Sequence, residues 1–461
     1  MESEAIRRCL ASHDPLGGGD ASQAVATDLH QAATVIRANG LQRMMLFWER
    51  FSPVNAAHVF TLGTGCTFTY SDLENRVADL FAAMRVGSFV ACDRSAEIVH
   101  SADEAAVEVR RHVSSAPLET ACAEVLESEF SRRFPAASCP IRLVWVEEAV
   151  PGRGRSIVVV YRHAILDSAS VRVVFQQLLS ACQHGTSVQP LSIYPGTLWA
   201  DAQTRGLVRI VDGVTTFFAE WWRMFGCQRF RDGNAARESG RVLNHPESVP
   251  VERVIQTAQR YGVTVQDLLF AALGEGLVKV DPEICGRRGR GRLVLQCPVN
   301  LRGILDVRDA AIGQLLGSVQ VQEPFREAGD FGELVRRIHA QTHQQKGQYS
   351  AVAQPRSLSI LHGLTRWLPR RWRLWLHQDS LPVAASISNV DARDQFQGEY
   401  ARQEIVGYRR ATLMGAILPL MLTVTTFGDS INFVSCRRSG FLDDERSERL
   451  VRHIAGRLTG Q

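Results

Sequence analysis

Lysine is almost missing from this sequence. Lys279 and Lys346 are the only two, and arginine carries nearly all of the positive charge, as GC-rich coding produces. Neither sign of charge is in excess. Against 52 basic residues stand 48 acidic ones, and a formal net charge of +4 gives no argument for nucleic acid or a membrane surface as partner. No cysteine pair has the C-x-x-C spacing and no Cys/His cluster has zinc-finger spacing; the ten cysteines scatter from Cys9 to Cys436. They are expected as free, buried thiols in a reducing compartment. No apolar run approaches the roughly 18 residues of a membrane-spanning helix. The opening MESEAIRRCLASHDPLGGGD lacks the apolar core of a signal peptide. We therefore expect a soluble, cytoplasmic protein. Short-period repeats and low-complexity tracts are also missing, which excludes a solenoid or a disordered array.

What is present is an ordinary globular composition. Of 461 residues, 45% are hydrophobic and 22% charged. That length allows about two to four domains, or one large two-lobed unit. Short β-branched and aromatic runs alternate with amphipathic ones. AHVFTL (57–62), IRLVWVEE (141–148), SIVVVY (156–161) and RLVLQCPV (292–299) read as strands, as do VAASIS (383–388), LMLTVTTF (420–427) and SINFVSC (430–436). Helices are expected after Ser71 with Glu74 completing a capping box, over 102–131, over VRVVFQQLLSAC, after Thr264, over FGELVRRIHAQTHQQ, and from about Leu442 to residue 459. Turn formers at His184-Gly185-Thr186 and Tyr194-Pro195-Gly196 mark a boundary near residue 200. We expect a loose lead-in over 1–35, a first α/β lobe over 36–200 and a second over 201–461.

The most informative segment is Tyr161-Arg162-His163-Ala164-Ile165-Leu166-Asp167-Ser168-Ala169-Ser170. A strand delivers a histidine, and an aspartate follows four residues later at a helix start. An imidazole with an ordinary pKa near 6.5 suits proton abstraction at neutral pH. From spacing alone, His163 is equally readable as a core histidine and Asp167 as a helix cap.

The segment resembles the HHxxxDG motif of the acyl-thioester-dependent acyltransferase superfamily. That superfamily includes peptide-synthetase condensation domains, wax ester synthase/diacylglycerol acyltransferases and polyketide-associated acyltransferases. The resemblance puts the second, catalytic histidine on His163 and the aspartate on Asp167. Other pieces follow in the family's order. Thr264-Val265-Gln266-Asp267-Leu268-Leu269 is similar to a TVNDVV helix start, and Pro298-Val299-Asn300-Leu301-Arg302 to a PVxxR strand end. Gly313-Gln314-Leu315-Leu316-Gly317 is similar to a GNxxG turn, and Ser388-Asn389-Val390 to an SNV element. The match spans about residues 41–459. Two departures stand out: Arg162 replaces the first histidine and Ser168 the glycine.

The resemblance implies a two-lobed, chloramphenicol-acetyltransferase-like α/β fold with a tunnel between the lobes. It implies an acyl transfer from a thioester to a hydroxyl acceptor, with His163 as general base and the Ser168 N–H near the oxyanion. Asp167 is then structural, in an ion pair with Arg302. Arg302, Ser388 and Asn389 line the substrate side, although Asn389 is equally readable as a turn cap. The donor is acyl-CoA or an acyl or peptidyl carrier protein. Coenzyme A or phosphopantetheine enters only as part of that donor, and no permanent cofactor, metal or nucleic acid is expected. A monomer working in lipid or specialised-metabolite biosynthesis is implied. Two alternatives stay open: a free-standing condensation enzyme that forms an amide, and a catalytically silent module that binds a carrier protein.

Other features carry weaker signals. His339 and His343 lie one helical turn apart, but position 340 is Ala340, not the glutamate of a zinc protease. Cys297 precedes Pro298 in an apolar strand and reads as an inert core thiol. Gly286-Arg287-Arg288-Gly289-Arg290-Gly291-Arg292 reads as a solvated loop tip. The basic, aromatic run from Arg366 to Leu376 reads as an amphipathic helix over the second lobe, or as a dock for an acidic carrier, coenzyme A phosphates or a membrane surface.

Overall fold

A computed structural model describes residues 33–460, apart from 93–96, 103–105, 151–153, 197, 210, 225, 231–239, 286–290, 308–310, 326–328, 348–349, 395–403 and 414–417. Of the loose lead-in expected over 1–35, residues 1–32, with Cys9 and Gly17-Gly18-Gly19, lie outside the described residues, as does the Gly/Arg tip over 286–290, while residues 33–35 are not loose but open the strand Ala33–Arg37.

The β-branched runs build two large sheets. In chain order the strands are β1 (Asn55–Leu62), β2 (Glu108–Ser114), β3 (Ile141–Glu148), β4 (Arg155–Arg162), β5 (Gly240–Pro250), β6 (Leu293–Asn300), β7 (Leu316–Glu323), β8 (Val383–Asp391), β9 (Ile405–Thr412), β10 (Leu420–Phe427) and β11 (Ser430–Arg438). The first sheet runs β9-β1-β4-β3-β2 and the second β5-β11-β10-β8-β6-β7. A smaller sheet contains Ala33–Arg37 and Glu97–Ser101, and the short strands Ser192–Ile193 and Ala311–Ile312 pair in parallel. One strand crosses between the halves of the chain. β9 pairs antiparallel with β1, setting Arg410 opposite His58, before the chain returns to the second sheet as β10.

The helices used below are α1 (Gly40–Trp48), α2 (Tyr70–Ala83), α3 (Leu118–Ser131), α4 (Ser168–His184), α5 (Asp212–Met224), α6 (Val265–Val280), α7 (Phe331–Gly347), α8 (Ser350–Thr365), α9 (Arg370–Ser380) and α10 (Asp444–Leu458). Helices α1, α2 and α4 cover the first sheet around Phe47, Phe81 and Phe175, where Phe175 stacks on Phe60 of β1 at 3.7 Å. Helices α6, α7 and α10 cover the second around Phe270, Val335 and Leu450. A third core joins the sheets: Val158 and Val160 of β4 meet Val294, Met421 and Val434, with Ala121 and Leu126 of α3. The eight cysteines whose side chains are described are buried and none of them is in a disulfide. The architecture is thus the expected mixed α/β, two-lobed fold.

Local chemistry moved two expected elements. Helix α2 is capped by Thr69, which exchanges hydrogen bonds with Asp72, not by Ser71 with Glu74. Thr69 and Asp72 have the same three-residue spacing, and the helix takes the earlier pair. The helix expected over 102–131 is instead β2 followed by α3. Val109 and Val113 of β2 pair in register with β3, and Pro117, with φ fixed at −53°, stands as the N-cap of α3.

Gly317 in β7 marks the tightest approach between strand and helix. A Cβ there would sit 1.8 Å from the carbonyl oxygen of Ala351 in α8. Backbone faces backbone, so nothing flexible can give way. Gly317→Ala should lower stability by about 1–3 kcal/mol, read as a fall in the thermal and urea midpoints. An unchanged midpoint would contradict this packing.

Candidate active site

Strand β4 ends in Tyr161 and Arg162, and a tight turn follows in which Ile165 and Leu166 both donate to the Arg162 carbonyl. Arg162 grips Glu49, at the end of α1, through Nε and Nη2 at 2.6–3.1 Å. It ties the turn to α1 and makes no contact with the His163 ring. His163 is buried, and its backbone N–H donates to the Val54 carbonyl at 3.0 Å.

The imidazole is oriented by one carbonyl. Its Nδ1 lies 3.1 Å from the Leu166 oxygen. Gln314 Nε2 also lies 3.4 Å from Nδ1, but it donates to the His163 carbonyl at 2.6 Å; the shorter Leu166 contact sets the tautomer, since a carbonyl only accepts, so Nδ1 carries the proton and Nε2 the lone pair. Nε2 has no hydrogen-bond partner among the described residues. Burial holds the pKa of His163 below its ordinary 6.5, against the Leu166 carbonyl and the Asp167 charge, which favour the cation. The ring is therefore neutral at pH 7, with Nε2 free to accept a proton.

Asp167 faces away from this ring and is completely buried. It caps α4, with Oδ1 accepting from the Ser170 N–H at 2.9 Å and from its hydroxyl at 2.8 Å. Oδ2 accepts from Arg302 Nη1 at 2.6 Å and from the Leu315 N–H at 3.0 Å. Arg302 is itself 3% exposed, and its Nη2 donates to the Ser170 hydroxyl at 2.9 Å and to the Ala311 carbonyl at 3.1 Å. The ion pair implied by the motifs is present. Arg302 is thereby engaged inside the protein through both terminal nitrogens. Burial alone would raise the Asp167 carboxyl; Arg302 and the Ser170 and Leu315 N–H donors outweigh it and hold it below the ordinary carboxylate value.

The turn after Ala311–Ile312 closes over this pair. The Gly313 carbonyl accepts from the Asp167 N–H, and the Gly313 N–H donates to the Ser170 hydroxyl at 3.0 Å. Its φ of +153° is a backbone setting that L side chains rarely adopt, and a Cβ would meet Tyr194 at 3.1 Å. Gln314 Nε2 donates to the His163 carbonyl at 2.6 Å. The sequence marks Gln314 as part of a motif; its contact with the histidine loop comes only from the fold.

Ser168 opens α4, so its N–H lies outside the i→i−4 ladder. Its Oγ is 3.0 Å from Nε2 of His58, whose Nδ1 lies 3.3 Å from the Tyr408 hydroxyl. Sequence reasoning missed His58 and Tyr408; the one available signal was a histidine inside the apolar run of β1. His58 is fully buried, and burial, then Arg410, Arg172 and His163, hold its pKa well below 6.5. Arg410, 3% exposed, donates to the Ser388 hydroxyl (3.0 Å) and carbonyl (2.8 Å), the Val424 carbonyl (2.9 Å) and Thr425 Oγ1 (3.3 Å). No described carboxylate lies within ion-pair distance of Arg410 or Arg172. Ser388 is thus held by Arg410, while Asn389, next to it on β8, is half-buried. Cys297 is pushed up to about 12 by burial and stays a thiol. His339 of α7 donates from Nδ1 to Asp267 Oδ2 of α6 at 2.8 Å.

No protein-family model matches the chain. Proteins of Mycobacterium tuberculosis and Mycobacterium bovis, provisionally named diacylglycerol O-acyltransferases, are 23% identical to it over 378 residues, 73% of this chain and 72% of theirs. Among solved structures, the NRPS cyclization-docking bidomain EpoB of Sorangium cellulosum superposes with a TM-score of 0.65 at 14% identity, over 97% of this chain and 94% of that one. The condensation domain of the monacolin K polyketide synthase MokA gives 0.64 at 11% identity, over 93% and 98%. The X-domain from teicoplanin biosynthesis, in complex with OxyB, gives 0.57 at 15% identity, over 92% and 93%. The chain has the two-lobed fold of condensation domains, and the curated relatives and the structural neighbours are consistent with the superfamily its motifs resemble.

Two variants test the buried pair. Asp167→Asn strands the Arg302 charge and should cost about 3–5 kcal/mol, as should Arg302→Met. The double variant should recover part of that loss by urea unfolding; strictly additive losses would deny the coupling. Because the Asp167 carboxyl is depressed, its stabilisation is present above the ordinary value of 3.8 and fades as pH falls through the lower folded value. Asp167→Asn should flatten that acid limb.

Proposed function

We propose that this protein transfers an acyl group from a thioester to a hydroxyl acceptor, with His163 as general base. One observation carries the reading: a buried, neutral imidazole whose Nδ1 proton is committed to Leu166 and whose Nε2 is unoccupied. In the step, Nε2 takes the acceptor's proton as its oxygen attacks the thioester carbonyl. The negative charge that develops on the carbonyl oxygen is met by the helix-start N–H of Ser168. Collapse expels the thiolate, which regains the proton from Nε2. The products are an ester and a free thiol, and the enzyme is unchanged.

The donor is acyl-CoA or an acyl group on the phosphopantetheine of a carrier protein. The kinship with proteins named as diacylglycerol acyltransferases supports a hydroxyl acceptor. The condensation-domain fold supports the second reading, an amine acceptor and an amide product, by the same proton path. Ser168 beside His58 has the spacing of a nucleophile and its base, but Arg410 and Arg172 oppose the imidazolium that His58 would become. A covalent acyl-serine is therefore not part of the mechanism. The third reading, a silent carrier-binding module, is favoured by the departures at Arg162 and Ser168.

The test is acceptor-dependent thiol release with acyl-CoA and acyl-carrier donors and pooled alcohols and amines, followed by product mass. Wild type should release thiol, and His163→Ala should lose about 100-fold or more in kcat while its melting point holds. Turnover in His163→Ala equal to wild type would remove the base. The active form is the neutral ring, so kcat should fall on the acid side with an apparent pKa below 6.5.

A further inference from the structure

Helices α5 and α9 turn much of their apolar surface outward. On α5, Val214, Phe218 and Trp222 share one stripe at helical spacing and are 48%, 58% and 74% exposed. The opposite side of α5 carries Glu220, which accepts from the Ser357 hydroxyl of α8 at 2.9 Å. On α9 the buried residues are polar: Arg373, His377 and Gln378. Arg373 lies 3.9 Å over the Phe47 ring of α1, and the Trp48 indole N–H donates to His377 Nδ1 at 3.4 Å. The outward side of α9 carries Trp372 and Trp375, the last turn of α8 carries Leu364, and the connection after it carries Trp367, 80% exposed.

These residues form one surface. Helix α5 packs on α8, and a cleft lined by Phe217 and Trp221 of α5, Leu361 of α8 and Leu381 after α9 joins the three. Five of the chain's eight tryptophans are exposed, and all five are here. Scattered apolar side chains on a surface need no explanation, but a contiguous aromatic patch does. The α8–α9 part of it is basic, while α5 carries Asp212 and Glu220 beside Arg223. From Ser350 to Gln378 the sequence holds five arginines and no acidic residue. Arg366 and Arg371 are exposed among the rings, and Arg366 lies 4.5 Å over Trp367. No helix among the described residues is long and apolar enough to cross a membrane.

Tryptophan favours the headgroup level of a bilayer, and guanidinium groups beside it match anionic headgroups. We propose that the face formed by α5, the end of α8 and α9 docks on the surface of an anionic lipid membrane, with the tryptophans in the interface. The proposal stands apart from the acyl-transfer reading; either can fail without the other.

The test is co-sedimentation of the full chain with phosphatidylcholine vesicles, with and without phosphatidylglycerol. Wild type should partition onto the anionic vesicles, and its tryptophan emission should shift to the blue. Brominated lipid should quench part of that emission. Trp222→Ser/Trp367→Ser/Trp372→Ser should lower partition at least tenfold. Arg366→Gln and Arg371→Gln should each lower it about fivefold on anionic vesicles, following the roughly 1 kcal/mol that a basic residue contributes at such a surface, and leave neutral vesicles unaffected. Wild type staying in the supernatant with both vesicle types, an unquenched emission, or equal partition of the triple variant would overturn the proposal. So would a wild-type dimer in lipid-free solution that the triple variant dissolves, since the face would then be a contact between copies.

Discussion

The buried pair of Asp167 and Arg302 is the joint on which the candidate site depends. It links the turn after β4, in the first sheet, to the strand end after β6, in the second. The carboxylate accepts four hydrogen bonds: two from Ser170, one from Arg302 and one from Leu315. With its lone pairs so used it has none for the imidazole, and His163 must be oriented by the backbone, through Leu166 and Val54. A buried ion pair adds little to stability over a well-packed apolar pair of the same volume. What it supplies here is geometry. Four donors converge on one carboxylate in a single arrangement, and that arrangement fixes where His163 stands.

The surroundings of His163 serve two requirements at once. A general base must be neutral before it acts; burial keeps His163 in that form, and burial with Arg410 and Arg172 nearby does the same for His58. The same burial opposes the imidazolium that His163 becomes after taking a proton. On the proposed reading this is no contradiction, because the imidazolium and the carbonyl oxyanion arise together. The Leu166 carbonyl and the Asp167 charge favour the imidazolium, and the ion pair formed with the oxyanion is closer to balanced than either ion alone. Had the site held a free carboxylate beside Nε2, the ring would rest protonated and could not start the reaction.

Much of this was legible in the sequence. The apolar runs of β3, β4, β10 and β11, the Thr264 cap and the Asp443 start of α10 follow from periodicity and capping alone. The strand-to-helix turn marked His163 and Asp167 as candidates, and their roles and the Arg302 partner came from the resemblance of the motifs to the acyltransferase superfamily. What escaped depended on distant partners. β9 reads as polar, with Arg409 and Arg410 at its centre, and its pairing strand lies some 350 positions earlier, as the Tyr408–His58 contact shows. A buried arginine satisfied by carbonyls and hydroxyls looks in sequence like a solvated one. Gln314 was visible as part of a motif, yet only the closing turn at Gly313 brings its amide to the His163 loop. Ser388 and Arg302 were assigned to the substrate side, and the fold instead engages both in internal hydrogen bonds.

Helices α5 and α9 follow the same logic from the opposite direction. A helix normally finds its place by burying its apolar stripe, a driving force that is strong but indifferent to rotation by a residue or so. Helix α9 is placed by Arg373 against Phe47 and by His377 between Trp48 and Thr365. The indole N–H can only donate, so His377 Nδ1 must accept and Nε2 must carry the proton toward Thr365. Burial lowers its pKa to about 3, which keeps that tautomer through the physiological range. Such contacts tolerate one rotation and no other, so the outward tryptophans are held outward. An apolar face exposed by loose packing would relax inward at the first opportunity. This one is prevented from doing so by hydrogen bonds that would have to break, and a surface fixed in that way is a constraint the fold maintains, whatever it meets.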